Sequence, residues 1–161
     1  MSTFGGGIDP TAVIGRPPEH KDWSPGMPVI EPVIDKTARI EAYVTIDAGM
    51  HRATTIGPRT WLLKNGTHVG HDAIIGADCV IACGAIIGGH VEIGDRAFVG
   101  LNATIAPFRK IGEDAIVEQM ANVTRDVPAG ARVGGNPARV LPPRAGVTHS
   151  DRPESERFVK E

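Results

Sequence analysis

From Ile75 onward an aliphatic residue returns at every sixth position: Ile81, Ile87, Ile93, Val99, Ile105, Ile111, Val117 and Val123. Stepping back from Ile75 in sixes meets Val69 and Leu63, and a second run in phase, Ile34, Ile40 and Ile46, lies upstream. A beat of six matches neither the 3.6-residue turn of a helix nor the two-residue alternation of an ordinary strand. It fits a coil of three short strands that closes every eighteen residues, one hexapeptide per face. A lone coil cannot bury its aliphatics, so several must stack, with neighbouring strands about 4.8 Å apart. The expected fold is therefore an all-β, parallel β-helix of about six coils.

The other hexapeptide positions agree with this reading. The residue after the aliphatic is often glycine (Gly70, Gly76, Gly88, Gly94, Gly100, Gly112), which is expected to help the chain turn. The fifth is small in Ala73, Cys79, Ala85, Ala97, Ala103, Ala115 and Ala121, as a cramped corner requires. Aromatics are only 4% of the chain, so the core must be built from Val, Ile, Leu and Ala. The pattern predicts one helical domain over residues 1–141, starting with a first repeat at 8–15. The proline-rich stretch 16–32 reads as an irregular loop. A four-residue insertion falls around 50–53, and one extra residue between Ile56 and Val69. Residues 142–161 form a polar tail with a candidate short helix after Ser150 or Asp151.

Composition narrows the function. The net charge is −2 and no basic stripe is present, which argues against nucleic acid as a partner. The longest apolar run, 79–89, is too short and glycine-rich to span a bilayer, so no membrane insertion is expected. Residues 1–10 lack the basic and apolar regions of a signal peptide, so the expected compartment is the cytoplasm. Cys79 and Cys83, four apart, read as small buried thiols rather than as a disulfide framework.

The chemistry concentrates in the histidines. On a coil of eighteen residues, His71 lies one coil below Gly89, with His90 beside it. A histidine has an ordinary pKa near neutrality and suits a general base. A glycine amide next to it can receive the oxyanion that develops on a thioester carbonyl. Asp72, adjacent to His71, can hold the imidazole in one tautomer. His90 and Asn65 are candidate acceptor contacts. His68, near a corner, and His51, in the inserted loop, are further candidates for substrate contact.

Residues 38–130 resemble the bacterial UDP-N-acetylglucosamine acyltransferases of lipid A synthesis, hexapeptide-repeat enzymes. The similarity lies in Arg39-Ile40-Glu41, Val44-Thr45-Ile46, His68-Val69-Gly70-His71-Asp72, Gly88-Gly89-His90, Phe108 to Gly112 and Asp126-Val127-Pro128. The resemblance implies a left-handed helix, assembly as a homotrimer and active sites between subunits. It places the general base on His71, its orienting acid on Asp72, the oxyanion amide on Gly89 and a substrate contact on His90. The chain departs from that family at Asp47, where the family has histidine, and at Ala106-Pro107-Phe108, where it has His-Gln-Phe. Its ending, Gly135-Asn136-Pro137-Ala138-Arg139-Val140, instead looks like the coenzyme A-dependent sugar acetyltransferases, in which this segment lies along the pantetheine cleft. Gly135, Asn136 and Arg139 are thereby donor-binding candidates.

The implied reaction moves an acyl group, with acetyl the expected one, from a coenzyme A or acyl-carrier-protein thioester to a hydroxyl or amine of a sugar or nucleotide sugar. No resident cofactor or metal is implied. A γ-class carbonic anhydrase shares the fold but needs a His-x4-His pair, and position 66 is Gly66. A non-catalytic trimeric scaffold is the other alternative, against which the His71–Gly89 register argues.

Overall fold

The computed structural model describes residues 7–142, and the candidate helix after Ser150 lies outside them. The described chain is a triangular parallel β-helix of very short strands, most of them two residues long. One face carries seven parallel strands, from Gly7–Ile8 to Arg132–Gly134, and an eighth, Arg139–Leu141, that folds back antiparallel on the last of them. The second face has six strands and the third has five. Register follows the eighteen-residue period: Val80 pairs with Phe98, Ile86 with Thr104, and Glu92 with Lys110. The aliphatics of successive coils are stacked into one core, with Ile46, Val69, Ile81, Ile87, Val91 and Val99 wholly inaccessible. Burying each such side chain stabilises the fold by about 1.5–3 kcal/mol.

Two details of the sequence reading change. The inward residue of its coil is Leu62, fully buried, and Leu63 is only half-buried. The extra residue therefore lies between Leu62 and Val69, not before Leu62. The glycines after each aliphatic also do not make the turn. The residue two places later does, with φ near +60° at Asp72, Asp78, His90, Arg96, Asn102, Phe108, Asp114 and Met120. This left-handed conformation costs a non-glycine residue about 1–2 kcal/mol, and it recurs because it bends the coil by one corner. The glycines serve close approach instead. A β-carbon on Gly88 would lie 2.7 Å from the Pro107 nitrogen on the next coil, and one on Gly94 2.6 Å from the Glu113 nitrogen.

The corners form three columns of different chemistry. One bears Asp72, His90 and Phe108. A second bears ion pairs, Arg59 with Asp78 at 2.6 Å and Arg96 with Asp114 at 2.8 Å. The third bears Tyr43, Asn65, Asn102 and Met120. Both insertions near the first column are anchored there. The loop after Arg16 leaves where the Ala48 N–H donates to the Arg16 carbonyl, and returns where Ile30 and Gly49 exchange backbone hydrogen bonds. Cys79 is buried and its thiol is pushed up to about 11, chiefly by that burial, whereas Cys83 is only half-buried. No helix among the described residues is long and apolar enough to cross a membrane.

Candidate active site

The first corner column gathers the histidines. His71 follows the strand His68–Val69 and is buried, at 7% exposure. Its Nδ1 lies 2.7 Å from Asp72 Oδ2. Its Nε2 faces the next coil, where a β-carbon on Gly89 would come within 2.7 Å of it. The stacking that the eighteen-residue period predicts for His71 beneath Gly89 is therefore present. The His90 N–H donates to the His71 carbonyl at 2.9 Å, which fixes the two coils to each other at this point. The Gly89 N–H donates to no acceptor among the described residues.

Asp72 is wholly buried yet anionic. Burial by itself would raise its pKa. Against that stand the hydrogen bond from His71 and those from the backbone N–H groups of Arg52, His51 and Met50, which hold the carboxyl well below the usual carboxylate range. The Arg52 and His51 amides lie 2.7 Å from Oδ1, and the Met50 amide 3.2 Å. An ionised carboxylate only accepts hydrogen bonds, so His71 carries a proton on Nδ1, and the neutral ring then has its lone pair at Nε2. The four-residue insertion is thus an anion cradle for Asp72, a role that its sequence does not announce.

Other imidazoles surround His71. The His90 ring meets it edge-on, with centroids 5.2 Å apart, and stacks on Phe108 at 4.5 Å with the planes within 9°. His51 stacks on His90 at 5.8 Å. Burial lowers the His90 pKa, against the pull of Asp72. His20, which sequence reasoning missed, reaches in from the proline-rich loop and meets His71 edge-on at 5.5 Å. Only a contact between positions 20 and 71 brings it there, and no local signal announces it.

His68 lies outside this cluster, on the second face. Its Nδ1 is 2.8 Å from the Thr45 hydroxyl and its Nε2 is 3.6 Å from Asp47. Asp47 is 1% exposed, and neither carboxylate oxygen has a hydrogen-bond partner among the described residues. Burial raises its pKa, with His68 the main opposing influence. Asn65 sits on the third corner column, with its N–H on the Ala42 carbonyl, so within this chain it is not brought to His71. Gly135, Asn136 and Arg139 belong to the last coil. Asn136 accepts a hydrogen bond from Asn122, and Arg139 lines a cavity of about 150 Å³ with Val123, Val133 and Val140.

His71, Asp72 and His90 offer atoms within 4.8 Å of one another that could ligate a metal. Both Asp72 oxygens, however, already accept hydrogen bonds from the loop amides or His71. The arrangement suits proton transfer at Nε2 better than coordination.

No family model matches the chain. Over 136 residues it is 31% identical to the acyl-(acyl-carrier-protein)–UDP-N-acetylglucosamine O-acyltransferase of Verminephrobacter eiseniae, covering 83% of this chain and 51% of that one. A crystal structure of a UDP-N-acetylglucosamine acyltransferase from Bacteroides fragilis superposes with a TM-score of 0.79 at 27% identity, over 85% of this chain and 53% of that one. Its homologues are hexapeptide-repeat acyltransferases. A variant of perosamine N-acetyltransferase from Caulobacter crescentus, in complex with CoA and GDP-perosamine, superposes with a TM-score of 0.68 at 27% identity, over 86% of this chain and 57% of that one. The fold is accordingly the left-handed parallel β-helix of the hexapeptide-repeat acyltransferases. The chain spans about half the length of the relatives it matches.

Proposed function

We propose that the chain transfers an acyl group, acetyl in the simplest case, from a coenzyme A or acyl-carrier-protein thioester to a hydroxyl or amine of a sugar or nucleotide sugar. The observation that carries this reading is the pairing of a buried imidazole lone pair, His71 Nε2, with the Gly89 backbone one coil above it. His71 takes the proton from the acceptor O–H or N–H as the new bond to the thioester carbon forms. The carbonyl becomes a tetrahedral oxyanion, to which the Gly89 N–H donates. The C–S bond then breaks, and the imidazolium returns its proton to the departing thiolate. Asp72 stabilises that imidazolium and keeps the ring oriented. No covalent intermediate with the protein is needed. His90, His51 and Phe108 form the wall along which the acceptor lies.

The same reading makes the protein a cytoplasmic homotrimer whose sites lie between subunits. The donor arm runs towards Gly135, Asn136 and Arg139, and His68 and Asn65 act from subunit surfaces near the cleft. Light scattering of the purified protein should give three times the chain mass. To test the reaction, the protein is offered acetyl-CoA and longer thioesters with amino sugars and nucleotide sugars, and free thiol is measured. His71→Ala should lower turnover by about a hundredfold or more. Full activity in that variant overturns the mechanism.

A further inference from the structure

Arg52 is the residue whose bonds are least explained by this reaction. It lies in the four-residue insertion, beyond reach of the sixfold pattern, and its side chain crosses three coils. Its Nε donates to the Asp72 carbonyl at 2.7 Å. One terminal nitrogen donates to Glu92 Oε1 at 2.9 Å, and the other lies 3.5 Å from the His90 carbonyl. Glu92 is held from its far side by Lys110, 3.2 Å away. These two cations keep the Glu92 carboxyl below the usual carboxylate range, Arg52 foremost.

The two carbonyls that Arg52 reaches belong to Asp72 and His90, the left-handed corner residues of consecutive coils. Its own backbone N–H is one of the three that hold the Asp72 carboxylate. The guanidinium is a planar fork with five fixed donors, suited to spanning acceptors at set separations. A lysine could satisfy one of them at a time.

We propose that Arg52 is a positioning residue: it straps the inserted loop to the two coils above, which keeps the amide cradle closed on Asp72 and sets the height of Gly89 and His90 over His71. This rests on the acyl-transfer reading of the same site. It assigns the insertion a purpose, since four residues are what bring the amides beneath Asp72 and the guanidinium across its carbonyl. Arg52 touches none of the reacting atoms. Its effect passes through Asp72 and the Gly89–His90 turn, where a misplacement on the order of 1 Å costs roughly a hundredfold.

The test uses the full chain with Arg52→Ala and the isosteric Glu92→Gln, which removes the charge that anchors the guanidinium. Arg52→Ala should lower kcat by about ten- to a hundredfold and leave both KM values within about threefold. Ethylguanidinium should restore part of that loss and methylammonium should not. Glu92→Gln should lower kcat about two- to tenfold and serves as the deciding variant if Arg52→Ala does not fold. Amide exchange separates this idea from the reaction on which it rests. In Arg52→Ala the amides of Met50, His51 and position 52 should exchange at least about tenfold faster, while those of Phe98 and Ile116 on another face do not change. If the unaltered protein transfers no acyl group, the reaction fails and the exchange result still judges the strap. Unchanged kcat in either folded variant, a loss confined to KM, or unchanged exchange at the three loop amides overturns the positioning role.

Discussion

A β-carbon at position 89 would lie 2.7 Å from the Nε2 of His71, and the next two atoms it would meet belong to the same ring. The hydrogen of Gly89 is therefore what allows the imidazole to stand beneath its backbone. Gly89 has no left-handed φ, so alanine there is not strained by its own dihedrals. Gly89→Ala should displace the His71 ring by a few tenths of an ångström or more. Transfer activity should fall by about two orders of magnitude, with a melting temperature within a few degrees of the parent. Steady-state kinetics together with calorimetry read both numbers.

Replacing Asp72 by asparagine takes away the charge that the loop amides face. We expect a loss of about 1.5–3 kcal/mol at neutral pH, or roughly 5–10 °C in melting temperature for a chain of this size. The pH dependence follows from the lowered carboxyl. A group with a depressed folded pKa contributes stability that is fully present above its ordinary value of 3.8 and is lost as the pH falls towards the folded value. The gap between parent and Asp72→Asn should therefore be constant above about pH 5 and narrow below pH 4. A gap independent of pH would show that Asp72 is not held as an anion.

Asp47 presents the opposite sign. Its pKa is raised by burial, so the ionised form is the costly one in the folded chain. No penalty exists below the ordinary value of 3.8, and it grows as the pH rises through the folded pKa. Asp47→Asn should raise stability near pH 8, by about 1–3 kcal/mol for relief of a buried carboxylate that accepts no hydrogen bond among the described residues, and the gain should vanish near pH 3. Thermal melts across that range check it. A loss of stability at pH 8 would mean that the attraction of His68, 3.6 Å away, outweighs the cost of burying the carboxylate.

Phe108 is 63% exposed, holds a left-handed φ of 62° and stacks flat on His90. Its removal costs little core. Phe108→Ala should leave the melting temperature nearly unchanged and raise the acceptor KM about two- to tenfold, the scale of one aromatic stacking contact. An unchanged acceptor KM would detach the stack from binding.

Most of the fold could be read from the sequence because the stacking is one-dimensional. Over residues 69–123 the paired aliphatics lie eighteen residues apart, so Val69, Ile87 and Ile105 declare one column. The register of His71 under Gly89 follows from the same arithmetic, and the His71–Asp72 contact from adjacency. Misreadings arose where the chain leaves the period. Leu63 took the place of Leu62 because the single added residue could not be located. Glycine is the usual left-handed residue and so draws the turn in the sequence to itself, whereas here Asp, His, Arg, Asn, Phe and Met adopt that conformation. The burial of His71 is not legible either, because the coil alone does not reveal that His20 of the 16–32 loop packs on it. Arg52 and the amide cradle lie wholly in an insertion, where no periodicity constrains anything.

The three corner columns bear on how such a molecule can change. Each corner residue keeps its backbone shape whatever its side chain, and its nearest lateral neighbours are one coil above and one below. An edit to the histidine edge leaves the aliphatic interior and the ion-paired edge untouched. A new recognition task can thus be written along one ridge of the prism while its frame is inherited unchanged.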